Sequence, residues 1–261
     1  MKTELLLIDM QYDFCNPKGS LYVPGAEKDC EHVADFIRKN SKSISAVHAT
    51  LDTHSLYHIA HPVFWKDRNG NPPPAYTMIT LDEYRKGLWR PADPSLEKYA
   101  EQYISTLESK GRYKLIIWPP HCLIGSAGWT ADSKVYDALY EWELEKPGRI
   151  TDYILKGRCP LTEHYSAIQA EVPVTGDVST ETNTALVAEL SKADRIFAAG
   201  EALSHCVANT LRDLFKSVSP EKVTLLTDCT SSVKGFEETG TAFVTEYAAK
   251  GMKTRSYTDV L

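Results

Sequence analysis

The feature that most constrains this chain is the alternation of short apolar runs with amphipathic stretches. Uninterrupted apolar runs are typical of strands that are buried on both faces of a parallel sheet. They predict strands over residues 5–8, 44–51, 115–118, 151–155, 195–199, 222–226 and 254–257. Helices are expected over residues 26–38, 132–145, 180–192, 206–217 and 236–250. The alternation therefore predicts an α/β fold, a doubly wound and mostly parallel sheet with helices on both faces.

One long segment departs from this alternation. It contains the Gly- and Pro-rich stretch 69–74 and a charged, Tyr-rich stretch over 81–110. A long interruption of a compact domain is typical of a lid, a binding element or an oligomer contact. No linker composition divides the chain, so we expect a single domain over 1–261 with an insertion at about 59–117. A homo-oligomer whose insertions cover one another is one arrangement that this segment allows.

Composition limits the partners of the chain. With 29 Lys and Arg against 35 Asp and Glu, the net charge is −6, which disfavours nucleic acid because phosphate binding needs a concentrated basic surface. The first apolar run is too short for a signal sequence or a membrane span, so we expect a cytoplasmic protein that does not bind membranes. The six scattered cysteines form no CxxC pair and are expected to be free thiols.

Three residues with catalytic chemistry stand near the ends of predicted strands. Asp9 and Lys156 directly follow two of the apolar runs, and Cys206 begins the helix expected after a third. A helix N-terminus favours a thiolate, and a neighbouring carboxylate can accept its proton. Each residue alone is compatible with an ordinary role, namely a helix cap, a surface lysine or a core cysteine. Because the carboxyl ends of parallel strands meet at one edge, their joint position favours a nucleophilic cysteine.

A second set of residues has the chemistry of metal ligands. Asp52 and His54 end another apolar run, His58 lies four residues later, and His121 follows the run over 115–118. Histidine and carboxylate ligands suit zinc, or iron or manganese with open coordination positions. Two other histidines lack such a partner and are expected to be structural or surface residues: His48 and His61.

Taken together, these residues resemble the nicotinamidases of the isochorismatase-like cysteine hydrolases. The resemblance covers most of the chain outside the insertion. Five blocks carry it in the family's order: Ile8–Phe14 with 19–21 and 23–26, 52–54 with His58, Trp118–Cys122 with Gly125 and Ser126, Lys156 and Gly157 with Tyr165–Ala167, and Gly200–Val207. It implies the family's Rossmann-like three-layer sandwich.

The resemblance also implies catalytic roles. Cys206 corresponds to the nucleophile, Asp9 to the general acid and base, and Lys156 to the third member of a triad. The amides of Ala202 and Cys206 correspond to an oxyanion hole, with a cis peptide bond between Glu201 and Ala202.

The remaining implied roles concern the metal and the substrate. The metal ligands would be Asp52, His54 and His121, with His58 as a candidate fourth ligand. The ion would be divalent, with zinc the expected metal and iron or manganese as alternatives. The ring-binding pocket would be lined by Phe14, Trp118 and Tyr165.

The implied reaction is the hydrolysis of nicotinamide to nicotinate and ammonia through a thioester, with a metal that holds the pyridine nitrogen. Thr53 and Ser55 depart from the family pattern, which has an aromatic residue and a proline there, and the insertion is long. A related hydrolase that acts on another small amide or ureide is therefore an alternative, and a catalytically silent binding protein is a third reading. A dinucleotide-binding oxidoreductase is disfavoured because no GxGxxG follows the first strand.

Overall fold

The strands form one large sheet and two small ribbons in a computed structural model that describes residues 1–111 and 113–260. They are β1 (Thr3–Ile8), β2 (Ile44–Asp52), β3 (Trp65–Lys66), β4 (Met78–Ile79), β5 (Arg90–Pro91), β6 (Leu115–Ile116), β7 (Asp152–Lys156), β8 (Arg195–Gly200), β9 (Val223–Leu226) and β10 (Lys253–Arg255). The large sheet has the order β10-β9-β8-β1-β2-β7, and all its neighbouring strands run parallel. Its inner strands are almost entirely buried, as uninterrupted apolar runs predict.

Helices cover both faces of this sheet. They are α1 (Tyr12–Cys15), α2 (Ala26–Asn40), α3 (Leu81–Arg85), α4 (Glu97–Ser109), α5 (Ser133–Leu144), α6 (Thr184–Ser191), α7 (Ala208–Leu214) and α8 (Glu237–Ala249). α2 and α5 pack together on one face, where Arg38 and Glu141 form an ion pair. The strand order reverses after β7, so right-handed crossovers place α6, α7 and α8 on the other face. The predicted doubly wound α/β sandwich is confirmed. No helix of the described residues is long and apolar enough to cross a bilayer.

Two predicted elements differ from the structure. The run over 115–118 lies outside the large sheet, because its backbone pairs with an earlier part of the insertion. β6 is antiparallel to β4, and Ile117 N–H donates to Thr77 O. The helix expected over 206–217 begins as a π turn over Leu203–Val207, and α7 ends at Leu214.

The insertion folds onto the body of the chain through tyrosines. It holds the two ribbons, β3 with β5 and β4 with β6, together with α3 and α4. Tyr99 donates from its hydroxyl to Leu161 O, and the Tyr103 hydroxyl accepts from Glu163 N–H. The insertion therefore supports the loop that follows β7. The single-domain organisation and the homo-oligomer stay predictions.

His48 ties three strands of the sheet together. This buried side chain lies on β2, with Nε2 3.3 Å from Glu4 Oε2 on β1 and Nδ1 2.9 Å from Asp152 Oδ2 on β7. Burial lowers the pKa of His48, but the two carboxylates raise it by more, so its pKa lies above the ordinary value. The expectation that His48 is a structural residue is confirmed.

This raised pKa predicts how stability depends on pH. A proton bound more tightly in the folded state stabilises it below the ordinary pKa of about 6.5, and this stabilisation disappears as the pH rises through the folded-state pKa. Urea unfolding of wild type and His48→Gln should therefore differ most near about pH 6 and least near about pH 9. A difference that grew with pH would contradict the assignment.

Candidate active site

The register of the sheet brings the ends of four strands together. Asp52, the last residue of β2, lies opposite Lys156, the last residue of β7. Ile8 at the end of β1 lies opposite Gly200 at the end of β8. Gly200 has φ 124°, and a Cβ there would lie 2.0 Å from the carbonyl oxygen of Ile8. Glycine is thus required where β8 passes β1, just before the chain turns toward the predicted nucleophile.

The Lys156 ammonium lies at the centre of this edge. Its Nζ is 2.8 Å from Asp9 Oδ2, 3.1 Å from Asp52 Oδ1 and 3.6 Å from Cys206 Sγ, and it donates to His164 O at 3.0 Å. The side chain is 2% exposed. Burial lowers the pKa of Lys156, but the two carboxylates raise it well above the ordinary value, so the ammonium stays charged. The three predicted catalytic residues are therefore brought together around one buried charge.

Asp9 is held rigidly beside this ammonium. Its backbone is in the left-handed region at φ 50°, and its amide donates to Thr50 O at 3.2 Å. The Thr50 hydroxyl donates to Asp9 Oδ1 at 2.6 Å, and Oδ2 faces Lys156. Burial raises the pKa of Asp9, and Lys156 offsets part of this effect. A carboxylate with a raised pKa is suited to accept and return a proton.

The surroundings of the Cys206 thiol favour its protonated form. Burial raises the pKa of this thiol well above the ordinary value, Lys156 lowers it by less, and the charges of Asp9 and Asp52 and a hydrogen bond with Asp9 raise it further. The residue lies in the π turn before α7, which differs from the expected first turn of a helix with its thiolate-stabilising amides. Attack by this thiol therefore requires the loss of its proton, and the Asp9 carboxylate interacts with it.

The turn that carries Cys206 begins with an unusual peptide. The bond between Glu201 and Ala202 is cis, as the resemblance implies. The carbonyl of Ala202 accepts from His205 N–H at 2.9 Å and from Val207 N–H at 3.1 Å, which holds the turn closed. Ala202 and Cys206 both line the same cavity.

Three of the predicted ligands form a compact group. Their ligand atoms, from Asp52, His54 and His121, all lie within 4.8 Å of one another, and all three side chains are buried. His54 Nδ1 is 3.1 Å from Gly157 O, and His121 Nδ1 is 2.8 Å from Pro119 O. Because a carbonyl oxygen only accepts, each Nδ1 carries a proton, which leaves each Nε2 as a free ligand atom.

These free nitrogens face one carboxylate oxygen. Asp52 Oδ2 lies 3.1 Å from His54 Nε2 and 3.6 Å from His121 Nε2. Burial raises the pKa of Asp52, but His54 and Lys156 lower it by more, so the carboxyl is ionised. His54 Nε2 has no hydrogen-bond partner within 1–111 and 113–260. Facing lone pairs at these distances require a positive charge between them, so the group fits a divalent metal ion.

Two further histidines lie beside this group. His58 has its ring centroid 4.4 Å from that of His54, but its Nε2 contacts Thr162 O and its Nδ1 accepts from Ala60 N–H. Both of its ring nitrogens are thus engaged, and its role as a fourth ligand stays a prediction. His61 is fully buried, with a centroid 5.3 Å from that of His54 and an Nε2 that lacks a hydrogen-bond partner in the described part of the chain.

Gln11 positions Asp52, one of the candidate metal ligands. The sequence analysis did not single Gln11 out. Its Nε2 donates to Asp52 O at 2.8 Å, and its Oε1 accepts from Asp52 N–H at 2.6 Å. Asp13 Oδ2 accepts from Cys122 N–H at 2.7 Å and so holds the loop that carries His121. The signal for Gln11 was its place in the motif that follows β1, the motif in which Asp13 also lies.

One cavity joins the catalytic residues around Lys156 to the candidate metal ligands. All three predicted ring-binding residues line it, and Trp118 Nε1 donates to the Tyr165 hydroxyl at 3.0 Å. Its full lining consists of Phe14, Leu21, Asp52, Trp118, His121, Glu163, Tyr165, Ala202, His205, Cys206 and Val233. Cys206 and two of the candidate metal ligands, Asp52 and His121, therefore face the same space.

Gly157 offers a test of how tightly the backbone packs against the candidate metal ligands Asp52 and His54. It has φ 78°, and a Cβ there would lie 2.7 Å from Asp52 Oδ1 and 2.8 Å from His54 Cε1. Gly157→Ala should lower the free energy of unfolding by about 1–3 kcal/mol more than Gly148→Ala, measured by urea unfolding. Gly148 is the matched control because it has φ 86° but nothing within 4 Å of its Cβ position. Equal losses in the two variants would show that the site tolerates the extra atom.

Comparison with known proteins identifies relatives of this chain. No protein-family model matches it. The nicotinamidase of Saccharomyces cerevisiae is 28% identical over 210 residues, which cover 80% of this chain and 79% of that protein.

Solved structures share the fold over nearly the whole chain. The yeast nicotinamidase aligns with a TM-score of 0.68 and 22% identity over 97% of this chain and 99% of its own. A nicotinamidase and pyrazinamidase from Acinetobacter baumannii aligns with a TM-score of 0.66 and 19% identity over 100% and 98%. The pyrazinamidase of Pyrococcus horikoshii, solved with zinc, aligns with a TM-score of 0.58 and 22% identity over 98% and 99%.

Proposed function

We propose that this chain, which belongs to the nicotinamidases of the isochorismatase-like cysteine hydrolases, converts nicotinamide to nicotinate and ammonia. One observation carries the proposal: the Cys206 thiol lies beside a buried ammonium that is paired with a carboxylate, and it shares one cavity with a histidine and aspartate group that fits a metal ion. A silent binding protein would gain nothing from burying these charges together.

The metal would be held by Asp52, His54 and His121, and we propose zinc because two imidazoles and one carboxylate with an open position suit it. When bound, the ion supplies a Lewis acid that can hold the ring nitrogen of the substrate. Phe14, Trp118 and Tyr165 then enclose the ring, so that the carboxamide lies against Cys206. The substrate is a small, uncharged amide.

The first chemical step is attack by Cys206. Asp9 accepts the thiol proton, and Sγ bonds to the carboxamide carbon, whose oxygen takes up the negative charge. The amides of Ala202 and Cys206 donate hydrogen bonds to this oxygen. Lys156 keeps its charge throughout and stabilises both the thiolate and the ionised form of Asp9.

The second step releases ammonia. Asp9 returns its proton to the amide nitrogen, the C–N bond breaks as the C=O bond re-forms, and a thioester on Cys206 remains. A water molecule then enters. Asp9 removes one of its protons, the oxygen attacks the thioester carbon, and the C–S bond breaks. The products are a cysteine thiolate, which takes the proton back from Asp9, and nicotinic acid, which loses its proton to water or to the released ammonia and leaves as nicotinate.

Replacing the nucleophile tests covalent catalysis. Cys206→Ala should lower ammonia release from nicotinamide by at least about a thousandfold, because no thioester can form. Its zinc content, measured by elemental analysis, should equal that of wild type, since Cys206 is not a ligand. Appreciable turnover by this variant would rule out the thioester mechanism.

Replacing a ligand tests the metal group separately. His54→Ala should weaken zinc binding by more than about 100-fold in a calorimetric titration, because a direct ligand contributes more than the residues that only orient ligands. His48→Gln is the matched control, since His48 is a buried histidine on β2, shortly before His54, that also contacts carboxylates. Unchanged zinc affinity in His54→Ala would exclude this group as the metal site.

A further inference from the structure

The two edges of the large sheet differ in how they are protected from other strands. β10, at one edge, carries two exposed charged side chains, Lys253 and Arg255, and such charges discourage pairing with another strand. β7, at the other edge, exposes the apolar side chains of Tyr153 and Leu155 by 39% and 42%. It contains no proline, and all its residues pair with β2 in one register. β7 is therefore an open edge of the kind that accepts another strand.

The hydrogen bonds of β7 show which of its backbone groups face outward. Lys156 O accepts from Thr53 N–H at 2.8 Å, so the backbone groups of Lys156 point toward β2. Because successive residues of a strand point these groups to opposite sides, those of Tyr153 and Leu155 point away from β2. In the described part of the chain, β2 is the only strand paired with β7, and no loop donates to or accepts from these four groups. They are free to pair with an added strand.

Apolar side chains continue from this edge onto α5. Tyr153 and Leu155 line one groove together with Tyr136 of α5, which places the strand edge and the helix side by side. Tyr140 and Leu144 follow Tyr136 at intervals of four residues, so they lie on the same face of the helix. We call the exposed apolar side chains of this region the β7 surface: Tyr136, Tyr140, Leu144, Ile150, Tyr153 and Leu155.

The β7 surface is large enough for a stable contact between proteins. Its six side chains expose roughly 600 Å² in one copy of the chain, since a large side chain of this kind presents about 150–250 Å² when fully accessible. Two copies would bury roughly 1,200 Å² against each other, which reaches the lower bound of a specific interface. A second copy of this chain therefore supplies both the missing strand and enough apolar area.

We propose that this chain forms a homodimer in which two β7 strands pair antiparallel across a twofold axis at Ile154. In this register Tyr153 of one copy lies opposite Leu155 of the other, and the two residues exchange N–H···O bonds. The symmetry repeats the exchange, so all four outward-facing groups of each copy are paired. The Tyr153 and Leu155 side chains share one face of the joined sheet and cover each other. Because β7 ends in Lys156, the pairing also holds the strand that supplies the ammonium of the site.

Sedimentation velocity of the full chain from about 1 µM to about 100 µM tests the dimer. Wild type should contain a species of twice the chain mass. Tyr153→Lys should raise the dimer Kd by more than about 100-fold, because each copy would bury a lysine charge against apolar side chains. Met78→Lys is the matched control, since Met78 is 44% exposed on the short strand β4 of the insertion. It should leave the dimer Kd unchanged.

Two outcomes of this experiment would overturn the proposal. If wild type stayed monomeric over the whole range, the open edge would belong to a strand of another protein. If Met78→Lys dissociated the dimer and Tyr153→Lys did not, the insertions would form the interface. Far-UV circular dichroism checks that each variant is folded.

A disulfide crosslink tests the register without a variant that dissociates. Ile154 would face its own copy across the axis as a non-hydrogen-bonded pair, with the two Cα atoms about 4.5 Å apart. A disulfide spans this distance, so Ile154→Cys should give a covalent dimer with oxidised glutathione on a non-reducing gel. The six native cysteines are all buried, so wild type should give none.

Tyr153→Cys is the control for this crosslink. In the proposed register the two copies of residue 153 are offset along the strands, with Cα atoms more than about 7 Å apart, which a disulfide does not span. This variant should therefore stay uncrosslinked under the same conditions. Absence of a covalent dimer in Ile154→Cys, or equal crosslinking of the two variants, would overturn the proposed pairing.

Discussion

The Lys156 ammonium is the interaction on which the site depends. Asp9 belongs to the catalytic residues and Asp52 to the candidate metal ligands. Both carboxylates are buried, so the charge of each raises the free energy of the other's ionised form. Removing an ammonium ion from water costs several kcal/mol unless opposite charges and hydrogen bonds compensate. Here two carboxylates and the carbonyl of His164 do so. The same charge thus allows a general base and a metal-binding carboxylate to coexist within one protein interior.

The sequence predicted the parts of the site that the sheet itself positions. Asp9, Asp52 and Lys156 follow or end buried parallel strands, and the register of such strands fixes which ends meet. The central strands and the main helices were predictable for a related reason, since their apolar patterns reflect burial in, or against, a single sheet. The positions of Cys206 and His121 needed the family's motifs, because turns and loops leave little periodic signal.

Other parts of the site depend on contacts that no local pattern encodes. The apolar run before His121 has the composition of a core strand but pairs with β4, because the insertion provides a nearer partner than the sheet. No residue near His61 in the sequence forms a metal-ligand pattern with it, yet the turn after β2 buries it beside His54. Tyr113 packs on His205, a residue of the cavity lining, because the insertion folds back over Ser204, to whose carbonyl the Tyr113 hydroxyl donates at 3.0 Å.

The place of β7 at the edge of the sheet has a consequence for folding. β7 pairs with β2 alone among the strands of the large sheet, and the contact between His48 and Asp152 spans 104 residues, the insertion included. Closing such a long loop slows the formation of contacts between its ends. β1 and β2 are joined by a much shorter connection through α2 and can pair first. Asp9 and Asp52 would then lie near each other as an uncompensated acidic pair until β7 docks and brings the lysine, so charge neutralisation and completion of the sheet become one event.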